Sequence, residues 1–168
     1  MFTFFVQTGF TESLQNMFDT AVPSEGYDRY IILHPDTIYF GGIGIFEDSV
    51  FIEGNGAVIE LENGSGIWIY GDSESMGSLN INRCTIKNGA YYGLNYSGIS
   101  TGSITNCNIV NSEMGIQLMD TSITVIKNCN LIDNNVYGIA VYSTNPAVEI
   151  SYCNTWNNGE DYMENCPG

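Results

Sequence analysis

The sequence predicts an all-β chain wound into a parallel solenoid, and three observations predict it. Cys84, Cys107, Cys129 and Cys153 recur at intervals of 23, 22 and 24 residues. Around them Ile81-x-x-Cys84-x-Ile86 returns as Ile104-x-x-Cys107-x-Ile109, Ile126-x-x-Cys129-x-Leu131 and Ile150-x-x-Cys153-x-Thr155. Beyond each of the first three cysteines stands a glycine followed by alternation: Gly93-Leu94-Asn95-Tyr96, Gly115-Ile116-Gln117-Leu118 and Gly138-Ile139-Ala140-Val141. Gly66-Ile67-Trp68-Ile69 is the same strand one repeat earlier. Repetition at this period marks stacked supersecondary units rather than one globular core.

Each repeat consists of alternating segments of three to five residues divided by Asn, Gly, Ser and Asp. Period-two alternation sends Ile, Cys and Leu to one face and Asn, Thr and Gln to the other. Segments so short cannot be helices, and one unit alone forms no stable sheet. Stacked units, about 4.8 Å apart, would pair each strand with its equivalent and line a narrow core with ladders of like side chains. The cysteines form one such ladder. They have no CxxC pair and no nearby His, so zinc lacks its usual spacing, and a small buried hydrophobe is the expected role. Cys166 stands outside the repeat, open to a bridge with Cys153 or to remaining free.

The 168 residues suit one domain. Four Lys+Arg against nineteen Asp+Glu leave a net charge of −15, which argues against nucleic acid and disfavours anionic membrane surfaces as partners. No stretch approaches the roughly 20 apolar residues of a membrane span, and the apolar opening Met1 to Val6 lacks the features of a signal peptide. Ahead of the repeats, Leu14, Met17, Phe18, Ala21 and Val22 fall at helical spacing, which predicts a helix over 11–22 with Thr11 as its N-cap. Coils are expected over 30–156. Residues 157–168 form a C-terminal cap, with Trp156, Tyr162 and Met163 folding over the last coil, or open a further segment.

The Ile-x-x-Cys-Asn-Ile…Tyr-Gly-Ile pattern resembles the right-handed parallel β-helix of pectin-lyase-like proteins. Tyr30 to Thr37 resembles that family's opening strand and turn, and Val50 to Ile59 its next coil. The resemblance implies a right-handed parallel β-helix of five or six coils, with the short amphipathic helix plugging the first. It also implies a secreted or cell-surface protein. An unpaired edge at either end invites association through the open coils.

Several shorter motifs resemble chemical signatures in part. Gly54-x-Gly56-x-x-Ile59 follows a strand, but Ile59 replaces the third glycine of a dinucleotide loop and no helix follows. Gly41 to Phe46 lacks the aspartate of a calcium-binding nonapeptide and reads as a turn. His34 precedes Pro35 with no nucleophile beside it. Family lyases bind calcium through acidic residues and abstract a proton with Arg or Lys; here Arg29, Arg83, Lys87 and Lys127 are the available cations. Family hydrolases need an Asp-Asp pair and a His-Gly step, and neither occurs. Calcium remains an option at Glu160, Asp161 and Glu164, the densest acidic spot.

The outward side of the glycine-led strand is the more specific signal. With Ile67, Leu94, Ile116 and Ile139 inward, Trp68, Asn95, Gln117 and Ala140 stack outside. Tyr70, Ser97, Met119 and Tyr142 form a parallel column. Aromatic rings beside amides suit sugars, so Trp68, Tyr70, Asn95, Gln117 and Tyr142 are the candidate carbohydrate-binding residues. The expected function is a non-catalytic binding module for polysaccharide. The alternatives are a polysaccharide lyase or glycoside hydrolase, and a structural spacer or adhesin segment.

Overall fold

A computed structural model describes residues 10–142, 147–164 and 166. The chain opens with β1 (Phe10–Ser13), α1 (Leu14–Thr20) and β2 (Val22–Ser24). Six coils follow, each giving one strand to each of three sheets. The first coil is β3 (Tyr27–Ile32), β4 (Thr37–Phe40) and β5 (Gly44–Ile45); the second is β6 (Ser49–Glu53), β7 (Val58–Glu60) and β8 (Ile67–Gly71). The third is β9 (Ser78–Asn82), β10 (Thr85–Lys87) and β11 (Tyr92–Gly98). The fourth is β12 (Thr101–Thr105), β13 (Asn108–Val110) and β14 (Met114–Leu118). The fifth is β15 (Ile123–Lys127), β16 (Asn130–Ile132) and β17 (Tyr137–Val141), and the sixth is β18 (Ala147–Ser151), β19 (Asn154–Trp156) and β20 (Glu160–Tyr162).

The first sheet runs from β2 and β3 to β18, the second from β1 and β4 to β19, and the third from β5 to β20. Pairing between these strands is parallel except for the β2–β3 hairpin, and Gly71 at the end of β8 makes one antiparallel bridge to Met76. The register stacks equivalent residues. Ile31, Ile52, Ile81, Ile104, Ile126 and Ile150 form one column of the first sheet. Ile59, Ile86, Ile109 and Leu131 form one of the second, and Ile67, Leu94, Ile116 and Ile139 one of the third. Through the middle coils these residues are excluded from solvent, and together they are the core. At the last coil Val148 and Ile150 are only half-buried.

Asparagine shapes the corners. The residue before each repeated cysteine, at Arg83, Asn106, Asn128 and Tyr152, has φ between 53° and 55°, and so does Asn55 one coil earlier. A second corner, after the short strand of the second sheet, places Asn88, Asn111, Asp133 and Asn157 at φ of 54° to 63°. Asn and Asp reach this left-handed region at lower cost than other non-glycine residues. The cysteines themselves point inward just past the first corner. Cys84, Cys107 and Cys129 are buried, and each repeated thiol donates to the carbonyl two residues before it, Cys107 Sγ to Thr105 O at 3.1 Å. Gly54 occupies the corner beside this ladder, where an added Cβ would lie 2.2 Å from Cys84 Sγ. That close approach accounts for Gly54, and a φ of 91° accounts for Gly56, without any nucleotide.

The boundaries differ from those expected. The helix begins at Leu14 and is capped by Ser13, whose Oγ accepts from Asn16 N at 3.3 Å. Thr11 belongs instead to β1, because pairing with β4 satisfies its backbone better than a cap would. Leu14 and Phe18 turn into the core while Val22 is exposed on β2. Coils start at Tyr27 and run on to Tyr162. Residues Glu160 to Tyr162 add a strand to the third sheet rather than folding across the end, and Trp156 stays two-thirds exposed on β19. Tyr162 and Cys166 pack against the end of the core, and Cys166 carries no disulfide.

Candidate functional site

The outer face of the third sheet carries the candidate site. Trp68 on β8 lies opposite Gly44 of β5, which has no side chain to cover the indole. The ring is 40% exposed although its neighbours hold it firmly. Its Nε1–H donates to Ser97 Oγ at 2.7 Å, and Ser97 Oγ in turn donates to Ile69 O at 3.3 Å. Phe46 meets the indole edge-on, with centroids 5.2 Å apart and planes at 88°, and Tyr70 approaches at 6.1 Å and 61°. An indole with a satisfied N–H and aromatic supports presents an apolar surface in a fixed orientation.

Two depressions meet at this residue. One, of about 520 Å³, lies towards the helical end and is lined by Gln15, Gly42, Phe46 and Ser65. The other, of about 360 Å³, is lined by Tyr70, Asn95, Ser97, Gln117, Met119 and Asp120. Trp68 and Tyr92 line both, so they form a saddle in one groove that crosses strands β5 to β14.

The structure thus brings together four of the five expected residues: Trp68, Tyr70, Asn95 and Gln117. Tyr142 is exposed but lines neither depression; its hydroxyl points to Met114 Sδ at 3.7 Å. The expected flat face of aromatics and amides needs a further correction. Asn95 is buried, with Nδ2 donating to the Gln117 side-chain oxygen, so it forms the floor. Ala140, in the same column, is buried as well.

Phe46 and Tyr92 also line the groove, and alternation does not point to either. Alternation counted back from Leu94 places Tyr92 inward, yet it lines the groove. A Cβ on Gly93 would point at the core atom Ile109 Cγ2, 2.6 Å away, so the alternation slips at that glycine. Gly115 and Gly138 occupy the same place one and two coils on, where an added Cβ would meet the next coil's backbone oxygen at 2.5 and 2.6 Å. The aromatic pair Tyr91-Tyr92 just before Gly93 was the available signal. Burial pushes the Tyr92 hydroxyl above its ordinary pKa.

The cations lie elsewhere. Arg83 Nε pairs with Glu53 Oε1 at 2.9 Å, and that bond holds the guanidinium pKa above its ordinary value. Lys87 Nζ pairs with Glu60 Oε2 at 2.9 Å, and Arg29 with Asp48 at 2.6 Å, its guanidinium lying over Phe18. Lys127 sits 5.7 Å from the Tyr152 ring centroid. His34 is a turn residue whose Nδ1 accepts from Asp36 N at 3.3 Å. Among the described residues no three His, Cys, Asp or Glu side chains are grouped to hold a metal, and Asp161 accepts from Asn158 Nδ2 at 3.0 Å.

Residues 36–165 match the family model described as a right handed beta helix region. The chain belongs to the right-handed β-helix family. No curated protein matches it. In this β-helix the family supplies the coils and their handedness, and the chemistry belongs to side chains on the faces.

Proposed function

We propose that this β-helix is a non-catalytic module, secreted or at the cell surface, that binds polysaccharide in the groove centred on Trp68. The observation that carries the reading is the indole itself, half out of solvent, with its N–H satisfied by Ser97 and its orientation set by Phe46 and Tyr70. The C–H face of a pyranose covers such a ring with apolar area on both sides, and its hydroxyls reach the polar groups beside it. A binding role is further supported by the cations, which a lyase would use as base. Arg29 on the first sheet, Lys87 on the second and Arg83 at the corner between them are held in ion pairs.

Affinity electrophoresis through gels containing single polysaccharides tests the proposal. The native chain should be retarded by at least one glycan, and Trp68→Ala should migrate as in a glycan-free gel while keeping its circular dichroism spectrum. Equal retardation of both proteins would overturn the groove. New reducing ends released from the retarding glycan would overturn the non-catalytic part.

A further inference from the structure

Resting on that reading of the groove, we infer that its polymer is an uncharged glycan lying along the coil axis, and that polyuronates are turned away. Direction follows from the saddle. The two depressions join across Trp68 and Tyr92 and reach from Phe46, just past β5, to Met119 and Asp120, just past β14. That path crosses three strand spacings, about 14 Å, and runs perpendicular to the strands. A sugar chain seated on the indole therefore passes from coil to coil.

Charge selects the polymer. A polyuronate presents a carboxylate on every ring, and holding it takes cations or bridging metal ions. The four cations of the chain lie elsewhere: Arg29, Arg83 and Lys87 pair with carboxylates, and Lys127 is at the end of β15 on the first sheet, near the exposed Tyr152 ring. None of them lines either depression. The charged side chain that does is Asp120, on a chain of net charge −15. A carboxylate beside the saddle repels a second one, and the field of the whole molecule adds to the repulsion.

The hydrogen-bonding groups left over point the same way. Asn95 Nδ2 is used by Gln117, and Trp68 Nε1 by Ser97. Gln117 Nε2 has only the thioether of Met114, at 3.3 Å, a weak acceptor that a sugar hydroxyl readily replaces. Asp120 Oδ2 accepts from Gly98 N at 2.8 Å, which leaves Oδ1 to accept. One amide donor and one carboxylate acceptor complement a hydroxyl, which both gives and takes. They do not complement a carboxylate, which only accepts.

The test compares gels of mixed-linkage β-glucan and galactomannan with gels of polygalacturonate and alginate, at about 0.1 M salt, where the screening length is about 10 Å. Each gel is run with calcium and with EDTA. Retardation on a neutral glycan alone, lost in Trp68→Ala, supports the inference. Trp68-dependent retardation on a polyuronate, with or without calcium, overturns it while leaving the groove intact. No retardation on any gel overturns the groove itself. Met119→Lys places an ammonium in the groove and should create retention on polygalacturonate in EDTA; a folded Met119→Lys protein that gains none would overturn the electrostatic basis. Circular dichroism of each variant establishes folding.

Discussion

The outer faces of the second and third sheets rest on the same coil and the same core, yet they are decorated by opposite rules. On the second sheet Thr85, Asn108, Asn130 and Asn154 stack in register. Asn108 Nδ2 donates to Thr85 Oγ1 at 3.2 Å and Asn130 Nδ2 to Asn108 Oδ1 at 2.8 Å. In the neighbouring column Lys87 pairs with Glu60. From Thr85 to Asn130 these polar groups satisfy the coil beside them, and little is left for a ligand. On the third sheet the column reads Trp68, Asn95, Gln117, Ala140, four residues of different shape. Repetition uses up hydrogen-bonding capacity in holding the stack, and departure from repetition leaves relief and unspent groups.

The comparison assumes that the core beneath both faces is equivalent, and the largest expected effect tests this. Ile109 under the second sheet and Ile116 under the third are both excluded from solvent. Truncating either to Ala removes three carbons from a site bounded by like residues one coil away, and should cost about 2–5 kcal/mol. Urea unfolding of the two variants should give similar losses. A much cheaper Ile116→Ala would mean that the third sheet is loosely packed and its relief a by-product.

The next effect separates a repeated polar residue from an irregular one. Asn134 is buried at the corner leading from the second sheet to the third. Its Oδ1 accepts from Ser112 N at 3.1 Å, and its Nδ2 donates to Asn158 Oδ1 at 2.9 Å and Ile109 O at 3.3 Å. Asn134→Ala strands a buried N–H and should cost about 1–3 kcal/mol. Gln117→Glu, in the groove, keeps the oxygen to which the buried Asn95 Nδ2 donates and should stay within about 0.5 kcal/mol. Equal losses from the two would dissolve the contrast between the corner ladders and the groove.

Much of the fold was legible because the interior repeats. Four cysteines and their flanking isoleucines are enough to register the third to sixth coils, and the alternation after Gly66 extends this to the second. The boundaries were less legible, since Thr11 has the composition of a cap and is recruited by β4 through contacts no local pattern encodes. The candidate groove was legible only in part. Trp68, Tyr70, Asn95 and Gln117 follow from alternation within a strand. Tyr92 does not, because the slip at Gly93 depends on how closely the next coil approaches. That Asn95 is buried depends on Trp68 and Gln117 beside it, which lie 27 and 22 residues away in sequence. Side-chain direction is a local property, and exposure in a stacked coil is not.

The smallest effect concerns the charges on the second sheet. Burial raises the pKa of Glu60, but donors from Lys87, Asn88 and the backbone N–H of Glu62 outweigh it and hold the carboxyl below its ordinary 4.5. A carboxyl whose pKa is depressed by folding stabilises the fold above its unfolded value, and this contribution fades as pH falls through the folded one. Stability of the native chain should therefore drop between about pH 5 and pH 3. Glu60→Gln has no such proton to gain, so its curve should be shallower over that interval, with a lower plateau at neutral pH from the lost pair with Lys87. The exposure of that lysine keeps the difference small. Thermal melts of both proteins across the interval measure it. Parallel curves would show that the Glu60–Lys87 pair does not contribute to holding the stack, and the second sheet would then owe its order to the asparagine ladder alone.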